Sequence, residues 1–208
     1  MKVIAINGSP RSGWNTDILV REAAAGAASE GADVEVIDLY KLDKFTGCMS
    51  CFGCKREKHL GKCILQDGLA DVLEKIRTAD GLILGSPVYL GDISAGLRSL
   101  YERLVFQYIS YKTEPQSYAD RKIPVVFILT SNVPAEYNAE LVNRYKGSLE
   151  GFIGPTQTLV SGNTLQVNNY EQYNWTMFNP EEKRERREKV FPQECSAAFA
   201  LGRNMLQH

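Results

Sequence analysis

Five apolar runs of strand length, at Lys2–Ile6, Val34–Ile37, Gly81–Gly85, Val125–Thr130 and Thr158–Val160, recur along the chain with helically spaced segments between them. That alternation admits few folds. Strand, helix and strand in succession close as a right-handed crossover, and repeated crossovers build a parallel sheet with helices on both faces. The run from Val125 to Leu129 is apolar at every position, as a strand buried on both faces requires. Leu69, Val72, Leu73 and Ile76 recur at i, i+3, i+4 and i+7, and Ile93, Leu97, Leu100 and Leu104 at four, seven and eleven, so each set predicts a helix on a sheet face. The expectation is a doubly wound α/β sheet of five parallel strands. With 208 residues the chain has room for one such domain and an extension.

Several function classes are disfavoured at once. The 24 basic and 25 acidic residues leave a net charge of -1 and no basic stripe, so nucleic-acid binding is not expected. The apolar stretch Val3–Ile6 is stopped by Asn7 and Gly8, far short of a signal-peptide core or the roughly 20 residues of a membrane span. No membrane association is expected, and a cytoplasmic location is. Five cysteines are an odd number, and four of them are crowded between positions 48 and 63; in a reducing compartment this favours metal or redox chemistry over a disulfide framework. Cys195 stands apart on the apolar stripe of a tail helix with Phe199, Gly202 and Leu206, and reads as a core residue.

Two loops at strand ends carry chemistry. After the first strand, Asn7-Gly-Ser-Pro-Arg-Ser-Gly-Trp-Asn-Thr16 leads into a helix expected to begin near Asp17. Its glycines permit a tight turn, Ser9, Ser12 and Thr16 offer hydroxyls, Arg11 supplies charge, and the helix start supplies free amides; a phosphate monoester would satisfy them all. The loop matches neither Walker A nor G-x-G-x-x-G, and an ordinary capped turn is the competing reading. The third strand runs into Gly85-Ser-Pro-Val-Tyr-Leu-Gly-Asp-Ile-Ser94, a rigid turn whose Tyr89 can line a planar ring, and Thr130 and Ser131 add polar groups to the same rim.

Segment 44–67 shows neither period and reads as a long functional loop after the second strand. Its cysteines, Cys48, Cys51, Cys54 and Cys63, follow C-x2-C-x2-C-x8-C, a spacing that can wrap a [4Fe-4S] cube from one tight turn and close it from farther away. Zinc, with His59 as an alternative ligand, reduced thiols and a reversible disulfide are the other readings; against zinc stands the lack of a separate second C-x2-C pair. Tyr108–Arg121 reads as a ligand cover, a subunit contact or a solvated connection. In the tail an aromatic stretch, Tyr170 to Phe178, precedes a run of mixed charge, Glu181–Lys189, expected to be a solvated helix face.

Gly8-Ser-Pro-Arg11 with Asn15 and Thr16, then Gly85-Ser-Pro-Val-Tyr89 with Gly91-Asp-Ile-Ser94, resemble the NADPH-dependent FMN reductase family of flavodoxin-like proteins, and the cysteine loop resembles its iron-sulfur flavoprotein branch. The match covers residues 1–130 well, with Phe178-Asn-Pro180 and Val190-Phe-Pro192 also similar to extended members. The last cysteine gap, eight residues, is longer than that branch's usual spacing. The resemblance implies a flavodoxin-like fold with strand order 2-1-3-4-5, an FMN-binding domain over 1–162 with the cysteine loop inserted, and a helical extension, 163–208, packed on that domain or on a neighbouring subunit. It implies that Ser9, Arg11, Asn15 and Thr16 hold the FMN phosphate and that Pro87, Val88, Tyr89, Leu90 and Gly91 flank the ribityl chain and ring. It further implies hydride transfer from NAD(P)H, passage of electrons to a quinone, flavin or protein acceptor, through a cluster if one is held, and association into dimers or tetramers. Two other functions remain open: a flavodoxin- or ferredoxin-like electron carrier without NAD(P)H turnover, and a non-redox phosphate-binding module.

Overall fold

The computed structural model describes residues 1–207. Five parallel strands form the sheet: β1 (Lys2–Asn7), β2 (Asp33–Asp38), β3 (Gly81–Tyr89), β5 (Val125–Thr130) and β6 (Thr156–Ser161), side by side as β2-β1-β3-β5-β6. Counted along the parallel strands, that is the order 2-1-3-4-5. One small strand was not foreseen. β4 (Asp92–Ile93) folds back antiparallel on the end of β3, which puts Ile93 in a hairpin rather than on the following helix.

Period two explains the continuous apolarity of the inner strands. Ile4 and Ile6 of β1, Leu82 and Leu84 of β3, and Val125, Phe127 and Leu129 of β5 enter one core, where they meet α2 (Ala70–Thr78), α3 (Ala95–Tyr108) and α4 (Ala139–Phe152). Their neighbours Val3, Ala5, Ile83, Val126 and Ile128 enter a second core on the other face, beneath α1 (Asn15–Ser29) and α6 (Phe191–Asn204). Each fully buried Val, Leu or Ile contributes about 1.5 to 3 kcal/mol relative to exposure. Cys195 is half-buried against this second core.

Helix α1 is rich in alanine, and α6 lies so close that backbone meets backbone. A Cβ at Gly202 would overlap the Ala23 carbonyl, and one at Gly26 would overlap the Phe199 carbonyl. Gly202→Val is therefore expected to push α6 off α1 and cost about 3 kcal/mol in urea unfolding; a wild-type midpoint in that variant would mean the two helices do not pack this way. α5 (Pro180–Lys189) begins at Asn179, whose Oδ1 accepts from the Glu181 and Glu182 amides, with Pro180 in its first turn. No helix among the described residues is long and apolar enough to cross a membrane.

Candidate functional site

The carboxyl ends of β1, β3 and β5 open on one cleft of about 380 Å³. Arg11, Asn15 and Thr16 line it from the first loop, Pro87, Val88, Tyr89 and Leu90 from the β3 end, and Thr130 and Ser131 from the β5 end. Helix α1 starts at Asn15, two residues before the expected Asp17, so Asn15 and Thr16 form its first turn. The amides of Trp14, Asn15, Thr16 and Asp17 meet no acceptor among the described residues, and they sit at the positive end of the helix dipole. The Asp17 carboxylate does not occupy that end: it accepts from the Gly13 amide at 2.7 Å, from Asn7 Nδ2 at 3.1 Å and from Arg21 Nε at 2.7 Å. Arg11 lies flat on the Trp14 ring, 3.7 Å from its centroid, and makes no salt bridge among the described residues. The Thr16 and Thr130 hydroxyls bond each other at 2.7 Å.

Ser9 and Gly91 do not line the cleft. Ser9 shapes the turn, its amide donating to Asn7 Oδ1 and its Oγ accepting from the Arg11 amide. Gly91 (φ +77°) and Leu90 (φ +50°) are the two central residues of the β3–β4 hairpin, the left-handed pair that such tight turns require. Leu90 is held there fully exposed. Below the turn, buried Ser94 ties the loops together. Its Oγ donates to the Gly8 carbonyl at 2.6 Å and accepts from the Leu97 amide, capping α3, while its amide donates to Ser86 Oγ at 2.8 Å. Burial pushes the Tyr89 phenol above its ordinary range.

The tail closes the cleft, which local patterning did not reveal. Thr164, Leu165 and Gln166 form its remaining wall. Asn15 Nδ2 donates to the Leu165 carbonyl at 2.9 Å, and Asn15 Oδ1 accepts from Arg187 Nη1 at 2.8 Å; with its side chain engaged, Asn15 offers the cleft its amide. The charged run Glu181–Lys189 is not solvated all round. Lys183 is buried, donating to the Asn132 carbonyl and Asn163 Oδ1, and Arg186 pairs with Glu194. Burial holds the Lys183 ammonium below its usual range. The Lys183 partners lie 51 and 20 residues away in sequence, so the mixed charge pattern carried no sign of them.

A second cavity, about 250 Å³, is lined by all four loop cysteines, Cys48, Cys51, Cys54 and Cys63. Left-handed residues between the first three, Ser50 (φ +52°) and Phe52 (φ +55°), curl the loop, and such strain persists only where its surroundings enforce it. Phe52, Ile64 and Phe106 make the cavity apolar. Tyr111, from the expected cover segment, packs on Phe52. Burial pushes the Cys54 thiol up, opposed by neighbouring Lys55. The eight-residue gap has a structural use: Lys55 Nζ reaches the carbonyls of Phe106, Gln107 and Ile109 at the end of α3, and Lys62 pairs with Glu74 at 3.1 Å. His59 does not line the cavity. Among the described residues, no three His, Cys, Asp or Glu side chains are gathered closely enough to ligate a single metal ion.

Behind this cavity runs Arg103, 1% exposed. Its Nη1 donates to both oxygens of Asp67, at 2.6 and 2.8 Å, and to the Thr46 carbonyl, and its Nη2 to the Leu65 carbonyl at 2.9 Å. Burial alone would raise the Asp67 carboxyl, but Arg103 and the Leu69 and Thr46 amides outweigh it and hold it below the carboxylate range. Nothing in the sequence marked Arg103, which stands one position before Leu104, the last leucine of the stripe.

The comparisons agree with this architecture. A family model described as NADPH-dependent FMN reductase matches residues 1–163. An iron-sulfur flavoprotein of Methanocaldococcus jannaschii is 48% identical over 103 residues, which cover 50% of this chain and 51% of that protein. An iron-sulfur flavoprotein of Archaeoglobus fulgidus is 32% identical over 142 residues, 67% of this chain and 65% of that one. The chain thus spans about half the length of the first of these relatives. Among solved structures, an NAD(P)H:quinone oxidoreductase from Methanothermobacter marburgensis superposes with a TM-score of 0.66 at 17% identity, covering 98% of both chains. An azoreductase from Bacillus anthracis does so with 0.67 at 14%, covering 98% of this chain and 99% of that one. The fold is thus flavodoxin-like, and the chain belongs to the NADPH-dependent FMN reductase family.

Proposed function

We propose that the chain is an FMN-dependent oxidoreductase that takes a hydride from NAD(P)H and passes electrons to a quinone, flavin or protein acceptor through a [4Fe-4S] cluster in the cysteine cavity. The observation that carries this reading is the convergence of three strand ends on a cleft lined by Trp14, Asn15 and Thr16, whose amides are unbonded among the described residues. Those amides, with Arg11 swung from Trp14, suit a phosphate dianion. Pro87, Val88 and Tyr89 offer a rigid edge for a flat ring. Bound FMN would supply hydride acceptance and one-electron release, chemistry that asks the protein to position and shield more than to donate protons.

The donor set of the second cavity suits a cube better than a single ion. One zinc would need its sulfurs about 3.8 Å apart around a point, whereas a cube spreads its ligands over four irons. Four thiolates in an apolar lining also need positive charge nearby, which Lys55 beside Cys54 provides.

An anaerobic absorbance spectrum, with flavin, iron and acid-labile sulfide counted on one sample, tests both sites. About one FMN with four irons and four sulfides per chain is expected; flavin without iron would remove the cluster and leave the reductase. NADH and NADPH oxidation with a quinone then separates enzyme from carrier, since a flavin-replete chain that oxidises neither is a carrier. Arg11→Ala and Thr16→Ala are each expected to weaken FMN binding by about 1 to 3 kcal/mol. Unchanged affinity in both would place the phosphate elsewhere.

A further inference from the structure

Three buried side-chain nitrogens have no hydrogen-bond partner among the described residues: Arg103 Nε, Gln107 Nε2 and Gln166 Nε2. None is scattered at random. Gln166 lines the flavin cleft, and Arg103 and Gln107 line the cysteine cavity. Buried donors are nearly always paired in folded proteins, so an orphan in a cavity wall is a donor free to meet a group from outside the chain.

The pair behind the cysteines is held in place by its other bonds. Arg103 and Gln107 are 1% and 3% exposed and stand one turn apart on α3, on the same face. The Arg103 guanidinium plane is fixed by Asp67 and by the Thr46 and Leu65 carbonyls, which fixes the direction of its Nε–H. Gln107 is fixed differently. The Cys63 amide donates to Gln107 Oε1 at 3.1 Å, and because a backbone N–H can only donate, the oxygen must face it. Nε2 is the atom left over.

We propose that Arg103 Nε and Gln107 Nε2 are positioning donors that hydrogen-bond the sulfurs of an iron-sulfur cluster in this cavity and raise its reduction potential. The inference rests on the cluster reading above. An N–H directed at a thiolate or bridging sulfide withdraws electron density and favours the more negative, reduced cluster over the oxidised one. Gln107 also holds the amide of a ligand residue, so one side chain sets both the place of Cys63 and the charge on the sulfur beside it.

The test is a potentiometric titration of the reconstituted chain, followed by electron paramagnetic resonance, comparing wild type with Gln107→Met and Gln107→Glu. Glutamate keeps an acceptor for the Cys63 amide and removes the free donor; methionine removes both without adding charge. With the iron count held at four, the midpoint is expected to fall in both variants, further in Gln107→Glu. Midpoints equal to wild type in both would overturn the inference while leaving the cluster in place. A wild type that takes up no iron overturns the reading beneath it, and the inference with it. Should neither variant hold a cluster, resonance Raman of the wild type decides: iron-sulfur stretches that shift between water and D2O support N–H to sulfur bonds, and stretches that do not shift overturn them.

Discussion

Riboflavin is expected to bind about a thousandfold more weakly than FMN if, as proposed, the first turn of α1 and Arg11 address the phosphate alone. Each charge-assisted hydrogen bond contributes about 1.5 to 3 kcal/mol. Several amides and one guanidinium, less the cost of desolvating them, leave about 4 kcal/mol, or three decades in Kd. The Asp17 carboxylate would oppose an anion if it lay free at the helix start. Its bonds to Gly13, Asn7 and Arg21 hold it aside. Titration of both flavins by fluorescence quenching measures the ratio. Affinities within threefold of each other would mean that the amides serve some other ligand.

Arg103→Met should be the most damaging single change in the cysteine region. It leaves Asp67 without its cation and frees the Thr46 and Leu65 carbonyls, so the loop loses three anchors together. Breaking a buried ion pair from one side typically costs about 3 to 5 kcal/mol. Urea unfolding should register that loss, and the cysteines should react faster with a thiol reagent. Removing the partner as well, in Arg103→Met with Asp67→Leu, should recover part of the stability. A double variant as unstable as the single one would show that the carbonyl bonds, not the ion pair, carry the effect. The sign with pH follows from Asp67, whose folded-state carboxyl lies below its ordinary value of 3.8. The pair's contribution is complete above that value and is lost as pH falls through the lower, folded one.

The sheet was legible because its signals are local. A strand buried on both faces must be apolar throughout, and Val125 to Leu129 is. Gly8-Ser-Pro-Arg11 and Gly85-Ser-Pro-Val-Tyr89 could be placed at one edge because right-handed crossovers leave them nowhere else to go. The cleft's outer wall was not legible. Leu165 meets Asn15, and Arg187 meets the same side chain from the far end of the sequence, so neither contact leaves a trace in nearby residues. Periodicity also failed within α5, where a lysine among like neighbours turned out to be a buried donor. In α3 it picked out the leucines and passed over Arg103, since hydrophobic counting has no entry for a buried cation. The hairpin strand escaped for a simpler reason: β4 is only two residues long, and no pattern can be read from so short a run.

Helix α3 belongs to both sites. Its first turn is fastened through Ser94 to the loops around the strand-end cleft, and its last turns, with Arg103, Phe106 and Gln107, wall the cysteine cavity. At about 1.5 Å of axis per residue, Ser94 and Arg103 stand roughly 14 Å apart along it. A helix clamped at its start by buried hydroxyls and at its end by Lys55 is a ruler. The two cavities cannot drift toward or away from each other without breaking backbone hydrogen bonds, so any traffic between them crosses a gap whose width is set by a count of residues.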